Sequence, residues 1–409
     1  MKEWKEYRIK DLGEVITGNT PPTSNREYYG TEYKFIKPTD MVEGQRFVPT
    51  TEEYYSELAY QKYKKCLLPP KTPCVVTIGS LGKKMCLTDT ECFTNQAVNA
   101  VIPNKENDGE FLYYAFKASV LAYVKQLDSG TTSGRENVSK SSFSKIKVRV
   151  PPLSTQQKIA SILSAYDNLI QNYKKQIEAL QTAASELYKE WFVRFRFPGY
   201  QTTRFENGIP EGWKIERLGK LTEIKSGKRL PQGYNFSDCP TSHPYIRARD
   251  IKHGNIDSND FAYISDDVYQ KLKRYIVDEN DILLTIVANI GDVGYVNKSL
   301  QGFNLTENAV RLTNYSERIE SRYLCYYLSQ PATKIYMEGL VVGAAQAKLG
   351  IYKIETIKVL LPNINIQKDF SRRITLIHTK IDNLNKQITN LTQQRNLLLP
   401  RLMSGNIIL

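Results

Sequence analysis

Residues 154 to 191 read STQQKIASILSAYDNLIQNYKKQIEALQTAASELYKEW. Ile159, Ile162, Tyr166, Leu169, Tyr173, Ile177, Leu180, Ala184, Leu187 and Trp191 recur there at steps of three and four, which is one stripe along an α-helix. At about 1.5 Å per residue such a helix reaches roughly 57 Å, far beyond the usual three or four turns, and has the length of a spacer. The chain writes it twice. Phe370, Ile374, Ile377, Ile381, Leu384, Ile388 and Leu391 alternate steps of four and three without a break, a heptad seam. At an offset of 211, Ile146-Lys147-Val148 falls on Ile357-Lys358-Val359, Pro151 on Pro362, Gln156 on Gln367, and Lys175-Gln176-Ile177 with Leu180 on Lys386-Gln387-Ile388 with Leu391. Each copy reads strand, proline break, helix, and two matching seams predict an antiparallel pair. Pro151-Pro152 precede the first helix, which opens at Ser154 with capping-box spacing to Gln157. Pro400 and Gly405 close the second.

The repeat extends beyond the helices. At an offset of 209, Trp4-Lys5, Arg8, Leu12, Glu14 and Gly18 fall on Trp213-Lys214, Arg217, Leu221, Glu223 and Gly227. Phe35-Ile36-Lys37 and Asp40 fall on Tyr245-Ile246-Arg247 and Asp250, Val75-Val76-Thr77 on Leu283-Leu284-Thr285, and Asn99-Ala100-Val101 near Asn308-Ala309-Val310 in a slipped match. A repeat this long is a duplicated domain rather than a solenoid. The expected organisation is a first variable domain over 1–150, a central helix over 151–197, a linker over 198–212, a second variable domain over 213–360, and a helix with its tail over 361–409. The fold class is α+β, with two mixed α/β domains joined by two long antiparallel coiled-coil helices in an internal pseudo-twofold duplication.

Composition narrows the partners. Among 409 residues, 41% apolar content suffices for more than one core, and 56 Lys and Arg against 43 Asp and Glu leave a net charge of +13. A polyanion is the expected ligand. The apolar run from Ile282 to Ile290 is too short to span a bilayer, and Met1-Lys2-Glu3-Trp4-Lys5 lacks a signal-peptide core, so a cytoplasmic location is expected. Six cysteines show no C-x-x-C pairing and the only histidines are His243, His253 and His378, which argues against a structural zinc site and for buried thiol packing.

The loop after each first strand reads Thr17-Gly18-Asn19-Thr20-Pro21-Pro22 in copy one and Ser226-Gly227-Lys228-Arg229-Leu230-Pro231 in copy two. Hydroxyl, glycine and cation together suit phosphate oxygens, because small residues let backbone amides approach and cations neutralise charge. An ordinary Gly-Pro turn is the plain alternative. Basic residues gather at Lys83-Lys84, at Arg135, and at Arg247 and Arg249, with Lys37 at the place of Arg247. Thr39, Asp40, Asp250 and Asn289 have the chemistry to meet base edges, Asp accepting from cytosine and Asn pairing with adenine. The paired tyrosines Tyr28-Tyr29, Tyr54-Tyr55, Tyr113-Tyr114 and Tyr326-Tyr327 suit base stacking or, more simply, a core. Catalytic chemistry has no visible home. Gly79-Ser80-Leu81-Gly82-Lys83-Lys84 lacks Walker spacing, and the chain has no Asn-Pro-Pro-aromatic tetrapeptide. Glu-x-Lys triplets at Glu32 to Lys34 and Glu223 to Lys225 lack a preceding acidic partner in both copies.

The pattern resembles the specificity subunits of type I restriction-modification enzymes over almost the whole chain. The resemblance rests on the opening Trp4-x4-Ile9 with its Thr-Gly-Asn-Thr-Pro loop and on Ile146 through Gln156. It rests equally on Leu187-Tyr188-Lys189-Glu190-Trp191-Phe192-Val193-Arg194-Phe195 and on Leu398-Leu399-Pro400-Arg401-Leu402-Met403-Ser404-Gly405. It implies two target recognition domains, each reading one half of a split double-stranded DNA target, with the helices holding the halves at a fixed distance. Because the two variable halves differ, the implied target is bipartite and asymmetric. The resemblance also implies two modification subunits that methylate adenine with S-adenosylmethionine. Two restriction subunits would translocate DNA with ATP and Mg and cut it, and no cofactor would belong to this chain. The copies part at Gly343-Ala344-Ala345-Gln346 against Thr132-Ser133-Gly134-Arg135. The rival readings are a self-sufficient DNA nuclease or methyltransferase, betrayed by activity of the isolated chain, and a coiled-coil scaffold, whose binding would ignore salt.

Overall fold

The structure, a computed structural model, describes residues 4–128, 136–252, 254–257, 260–341 and 348–405. It divides into two compact units, one of Met1–Gln176 with Leu384–Leu409 and one of Ile177–Asn383. Each unit takes one variable domain, one end of the first long helix and the opposite end of the second.

In the first unit the elements are β1 (Lys5–Arg8), β2 (Gly13–Thr17), β3 (Tyr29–Ile36), β4 (Glu53–Tyr55), α1 (Glu57–Tyr63), β5 (Pro73–Val76), β6 (Met85–Leu87), β7 (Cys92–Thr94), β8 (Val98–Pro103), α2 (Gly109–Ala115), β9 (Lys147–Val150) and the start of α3 (Leu153–Tyr188). A four-stranded antiparallel sheet has the order β2-β8-β5-β6, and a three-stranded sheet β4-β3-β7 pairs β3 antiparallel to β4 and parallel to β7. β1 and β9 form an antiparallel ribbon with Lys5 opposite Val150. Along β9 the alternation of the sequence is the alternation of burial, with Val148 and Val150 inward and Lys147 and Arg149 outward.

The second unit repeats these strands and adds a short hairpin of Ile251–Lys252 with Asn255–Ile256. Its elements are β10 (Lys214–Arg217), β11 (Glu223–Ser226), β12 (Pro244–Ile246), β13 (Ala262–Tyr263), α4 (Asp266–Leu272), β14 (Ile282–Thr285), β15 (Val293–Tyr295), β16 (Asn304–Leu305), β17 (Ala309–Thr313), α5 (Ser321–Leu328), β18 (Lys358–Leu361) and the start of α6 (Ile364–Met403). The orders are β11-β17-β14-β15 and β13-β12-β16, again with one parallel pair, and β10 pairs with β18. The register corrects two alignments. Thr17 lies opposite Asn99 and Ser226 opposite Val310, so Asn99 corresponds to Val310 and the triplet at Asn308 is out of step. Val75 and Leu284 face those same two residues, so Val75-Val76-Thr77 corresponds to Leu284-Thr285-Ile286 rather than to the triplet at Leu283. Inside the expected linker, Phe205–Glu206 and Ile209–Pro210 form a hairpin whose Asn207 and Gly208 both have positive φ, the backbone that an Asn-Gly turn favours.

α3 and α6 run antiparallel, as each unit shows separately. In the first, Ile159, Ala160 and Leu163 share a core with Leu402. In the second, Ala184, Tyr188, Trp191 and Phe192 pack with Phe370 and Ile374. The predicted α6 seam holds at Phe370, Ile374, Ile381 and Leu384, all buried. The predicted α3 seam holds at Ile159, Ala184 and Trp191, all buried, and slips between them: Leu169 is exposed, and Leu163, Ser164, Asp167 and Ile170 are buried, as is Gln156 ahead of the seam. Polar members of the stripe hid the slip from a reading of apolar spacing. Pro400 does not end α6, which runs through it to Met403 before Gly405 turns with φ +76.

Buried polar groups lock the helices to the domains. Gln156 Oε1 accepts from the Asp108 amide at 2.9 Å while its Nε2 donates to the Pro151 carbonyl at 2.9 Å and the Glu106 carbonyl at 3.2 Å. Gln367 makes the same clamp, accepting from the Glu320 amide at 3.0 Å and donating to the Pro362 and Arg318 carbonyls at 2.8 and 3.1 Å. This is what the repeated glutamine does: it ties the first turn of each long helix to the start of α2 or α5.

One level further along, the copies differ. Asp167 pairs with Arg395 and accepts from the Tyr114 hydroxyl at 2.6 Å, while Arg46 donates to the Tyr114 oxygen at 3.3 Å and to Asn168 Oδ1 at 2.7 Å. Burial and the nearby Arg395 hold Lys117 below the usual lysine range. At an offset of 211 the second unit has His378 and Ala184 instead, and the Tyr326 hydroxyl lies 3.0 Å from His378 Nε2. Burial, with Arg322 adding to it, pushes the His378 imidazole down from 6.5 to about 4. The unfolded chain therefore binds a proton there that the folded unit refuses. Stability present above pH 6.5 is lost as pH falls toward about 4, by about 3 kcal/mol in full. The protection factors of the α6 amides between 364 and 383, with the intrinsic slowing of exchange in acid divided out, are expected to fall over that window in the wild type and not in His378→Leu; identical acid dependence would contradict this.

Candidate nucleic-acid interface

In each unit the ends of several strands meet at one edge. In the first, the Asn19 amide donates to the Thr94 carbonyl at 2.9 Å, the Asn95 amide to the Ile36 carbonyl at 3.2 Å and the Thr77 amide to the Ala97 carbonyl at 2.8 Å. These bonds gather the loop after β2, the turn after β3, the hairpin between β5 and β6 and the connection from β7 to β8. In the second, Lys228 donates to Leu305 at 2.9 Å, Thr306 to Ile246 at 3.0 Å and Ile286 to Asn308 at 2.9 Å, gathering the corresponding four segments. Thr17, Gly18, Asn19, Thr20, Lys37, Thr39, Asp40, Lys83 and Lys84 all belong to the first edge. Ser226, Gly227, Lys228, Arg229, Arg247, Arg249, Asp250 and Asn289 belong to the second. Arg135, and the differing loops at 132–135 and 343–346, lie outside the described residues.

The glycines are explained by packing. A Cβ on Gly18 would sit 2.1 Å from the Thr94 carbonyl oxygen, and one on Gly227 2.1 Å from that of Thr306, so only glycine lets the loop cross the neighbouring backbone. The amides of Gly18 and Asn19, like those of Gly227 and Lys228, bond within the fold. Contact with a ligand falls to side chains. The loops are further fixed by hydroxyls from different positions: Tyr55 donates to the Asn19 carbonyl and Tyr245 to that of Lys228, both at 2.6 Å.

Asp40 and Asp250 close equivalent turns. Asp40 accepts from the Lys37 and Glu52 amides at 2.7 and 3.0 Å. Asp250 is buried and accepts from the Arg247 amide at 2.8 Å, with Arg247 Nε donating to the same carboxylate at 3.0 Å. Their carboxylates thus serve the turns that carry Lys37 and Arg247. Lys37 pairs with Glu52 at 3.0 Å, and Arg249 with Asp260 at 2.6 Å. Lys84 Nζ donates to the Pro38 carbonyl at 2.7 Å, while Thr39, Lys83, Ser226, Lys228, Arg229 and Asn289 are exposed. Where copy one has Lys84, copy two has Asp292, paired with Lys334 at 2.5 Å, so a cation in one unit is replaced by a neutralised ion pair in the other.

A further match escaped the sequence reading. Ser56-Glu57, Tyr60-Gln61-Lys62 and Lys64-Lys65 correspond to Ser265-Asp266, Tyr269-Gln270-Lys271 and Lys273-Arg274 at an offset of 209. It covers α1 and α4 with the turns after them, and extending the comparison to polar residues at that same offset finds it.

A duplicated α+β chain with a long antiparallel helix pair and a basic, loop-built edge on each copy has the make-up of a two-part recognition protein. The family model described as "Type I restriction modification DNA specificity domain" matches residues 1–182 and 210–393, and the chain belongs to that family. It is a specificity subunit of a type I restriction-modification system, and DNA sequence recognition is its function. The MjaIX specificity subunit of Methanocaldococcus jannaschii is 29% identical, over 99% of this chain and 94% of that protein. The EcoBI specificity subunit of Escherichia coli is 22% identical over 95% of this chain and 82% of that protein. In fold, the chain is similar to the crystal structure of a type I system S subunit from M. genitalium, with a TM-score of 0.65, 18% identity and coverage of 98% and 96%. Among the described residues, no helix is long and apolar enough to cross a membrane.

Proposed function

We propose that this subunit reads a bipartite, asymmetric sequence in double-stranded DNA, one half-site per variable domain, and so directs adenine methylation by two modification subunits and cleavage by two restriction subunits. The observation that carries this reading is the pairing of one topology with two different edges, Thr17-Gly18-Asn19-Thr20 against Ser226-Gly227-Lys228-Arg229 and Lys84 against Asp292. A shared frame presents each edge alike, and different side chains meet different bases. A pseudo-twofold chain also suits partners bound in pairs. On this reading the chain is not itself an enzyme and works in the cytoplasm, and S-adenosylmethionine, ATP and Mg are used by its partners. Lys83, Lys84, Arg135, Lys228, Arg229, Arg247 and Arg249 are the candidate phosphate or guanine contacts, and Thr39 and Asn289 the candidate base contacts.

Selection of bound duplexes from a random library by the chain complexed with its modification subunits is expected to enrich two unlike motifs at one fixed spacing. Enrichment of no sequence would contradict the reading.

A further inference from the structure

Two domains that read different half-sites share an exposed basic turn, and their fold employs several residues of the shared segment before it, with Lys64 Nζ itself 5.5 Å from the ring of Tyr60. Ser56 caps α1 by accepting from the Ala59 amide. Tyr60 stacks on Tyr33 with centroids 4.9 Å apart, and Tyr269 on His243 at 3.9 Å. Lys62 Nζ donates to the Tyr28 hydroxyl at 2.7 Å, and Lys271 Nζ donates to that of Tyr234, so these two lysines tether the chain that follows each glycine loop. Lys64, Lys65, Lys273 and Arg274 are exposed and, among the described residues, have no carboxylate partner. The tyrosine adjoining each pair, Tyr63 or Tyr275, packs toward the glycine loop. Tyr55, which holds the Asn19 carbonyl, packs on Tyr63 at 6.1 Å, and Lys228 Nζ lies 5.9 Å from the ring of Tyr275.

We infer that Lys64 with Lys65, and Lys273 with Arg274, form a sequence-independent anchor for the DNA phosphate backbone in each half, an inference that rests on the recognition reading above. A residue pair common to two domains with different targets carries no base information, and a compact doublet of cations beside the reading edge neutralises phosphates and fixes register. Exposed lysines are ordinarily solvated. Recurrence of the doublet at one offset, within surfaces that otherwise diverge, is what separates this pair from that default.

The test uses the full chain in complex with its modification subunits, a duplex carrying the selected motif and a random-sequence duplex of equal length. Lys64→Gln with Lys65→Gln, and separately Lys273→Gln with Arg274→Gln, are expected to weaken both duplexes by the same factor, on the order of tenfold. The plot of log affinity against log salt should become shallower by about two, while the methylated motif stays the same. Lys64→Arg with Lys65→Arg, and separately Arg274→Lys, are expected to bind both duplexes as the wild type does. Unchanged affinity and slope in correctly folded variants, or a loss confined to the motif duplex, would overturn the anchor. The wild-type complex separates the two claims: if it prefers the motif while the variants keep its slope, only the anchor fails, and if it has no preference the recognition reading fails.

Discussion

Replacing Asp167 with alanine is expected to destabilise the first unit by about 3–5 kcal/mol, the cost of leaving a buried charge without its partner. Arg395 is 9% exposed and its guanidinium faces Asp167, whose second oxygen accepts from Tyr114. Removal of the carboxylate strands Arg395 and Tyr114 together, next to Arg46 and Lys117. Removing both charges is different. Asp167→Leu with Arg395→Met should recover most of the loss, since a buried pair replaced by apolar groups of similar volume is often neutral. Because the two units need not unfold together, hydrogen exchange of the α3 amides between 153 and 176 is the appropriate measurement. Equal exchange in the single variant and the wild type would contradict the argument, as would a double variant worse than the single.

Gln156→Ala and Gln367→Ala should each cost roughly 3 kcal/mol in their own unit, because each orphans several buried backbone groups worth about 1–3 kcal/mol apiece. The two side chains are 1% and 0% exposed. The first amides to lose protection should be those of Asp108 and Glu320, which the glutamine oxygens accept. Because each variant touches one unit, the loss in one should leave protection in the other unchanged, and protection at wild-type level at Asp108 or Glu320 would show that the clamp does not hold the helix start.

Much of this was legible from residues. The duplication, the strand–proline–helix order and the α6 seam follow from apolar spacing, because Phe370, Ile374, Ile381 and Leu384 are both apolar and buried. The α3 seam slips in its middle for the converse reason: Gln156 and Asp167 are buried through partners far along the chain, which periodicity does not see. Asp40 and Asp250 stood out correctly as a repeated pair, yet their hydrogen bonds to the amides of Lys37 and Arg247 arise only once β3 and β12 end in the same turn. Gly18 and Gly227 suggested room for phosphate, whereas their lack of a side chain admits the backbone of Thr94 and Thr306. Strand order was not legible, since β2 beside β8 is a pairing of segments about 80 residues apart whose closure no local signal announces.

The most direct test of the account is genome-wide adenine methylation in cells that express the modification subunit with this chain, compared with cells lacking the chain. The account predicts methylation at a two-part motif with unlike halves and a fixed, unspecified spacer, present only with the chain. Methylation that persists without the chain, or a motif that is contiguous rather than split, would contradict it.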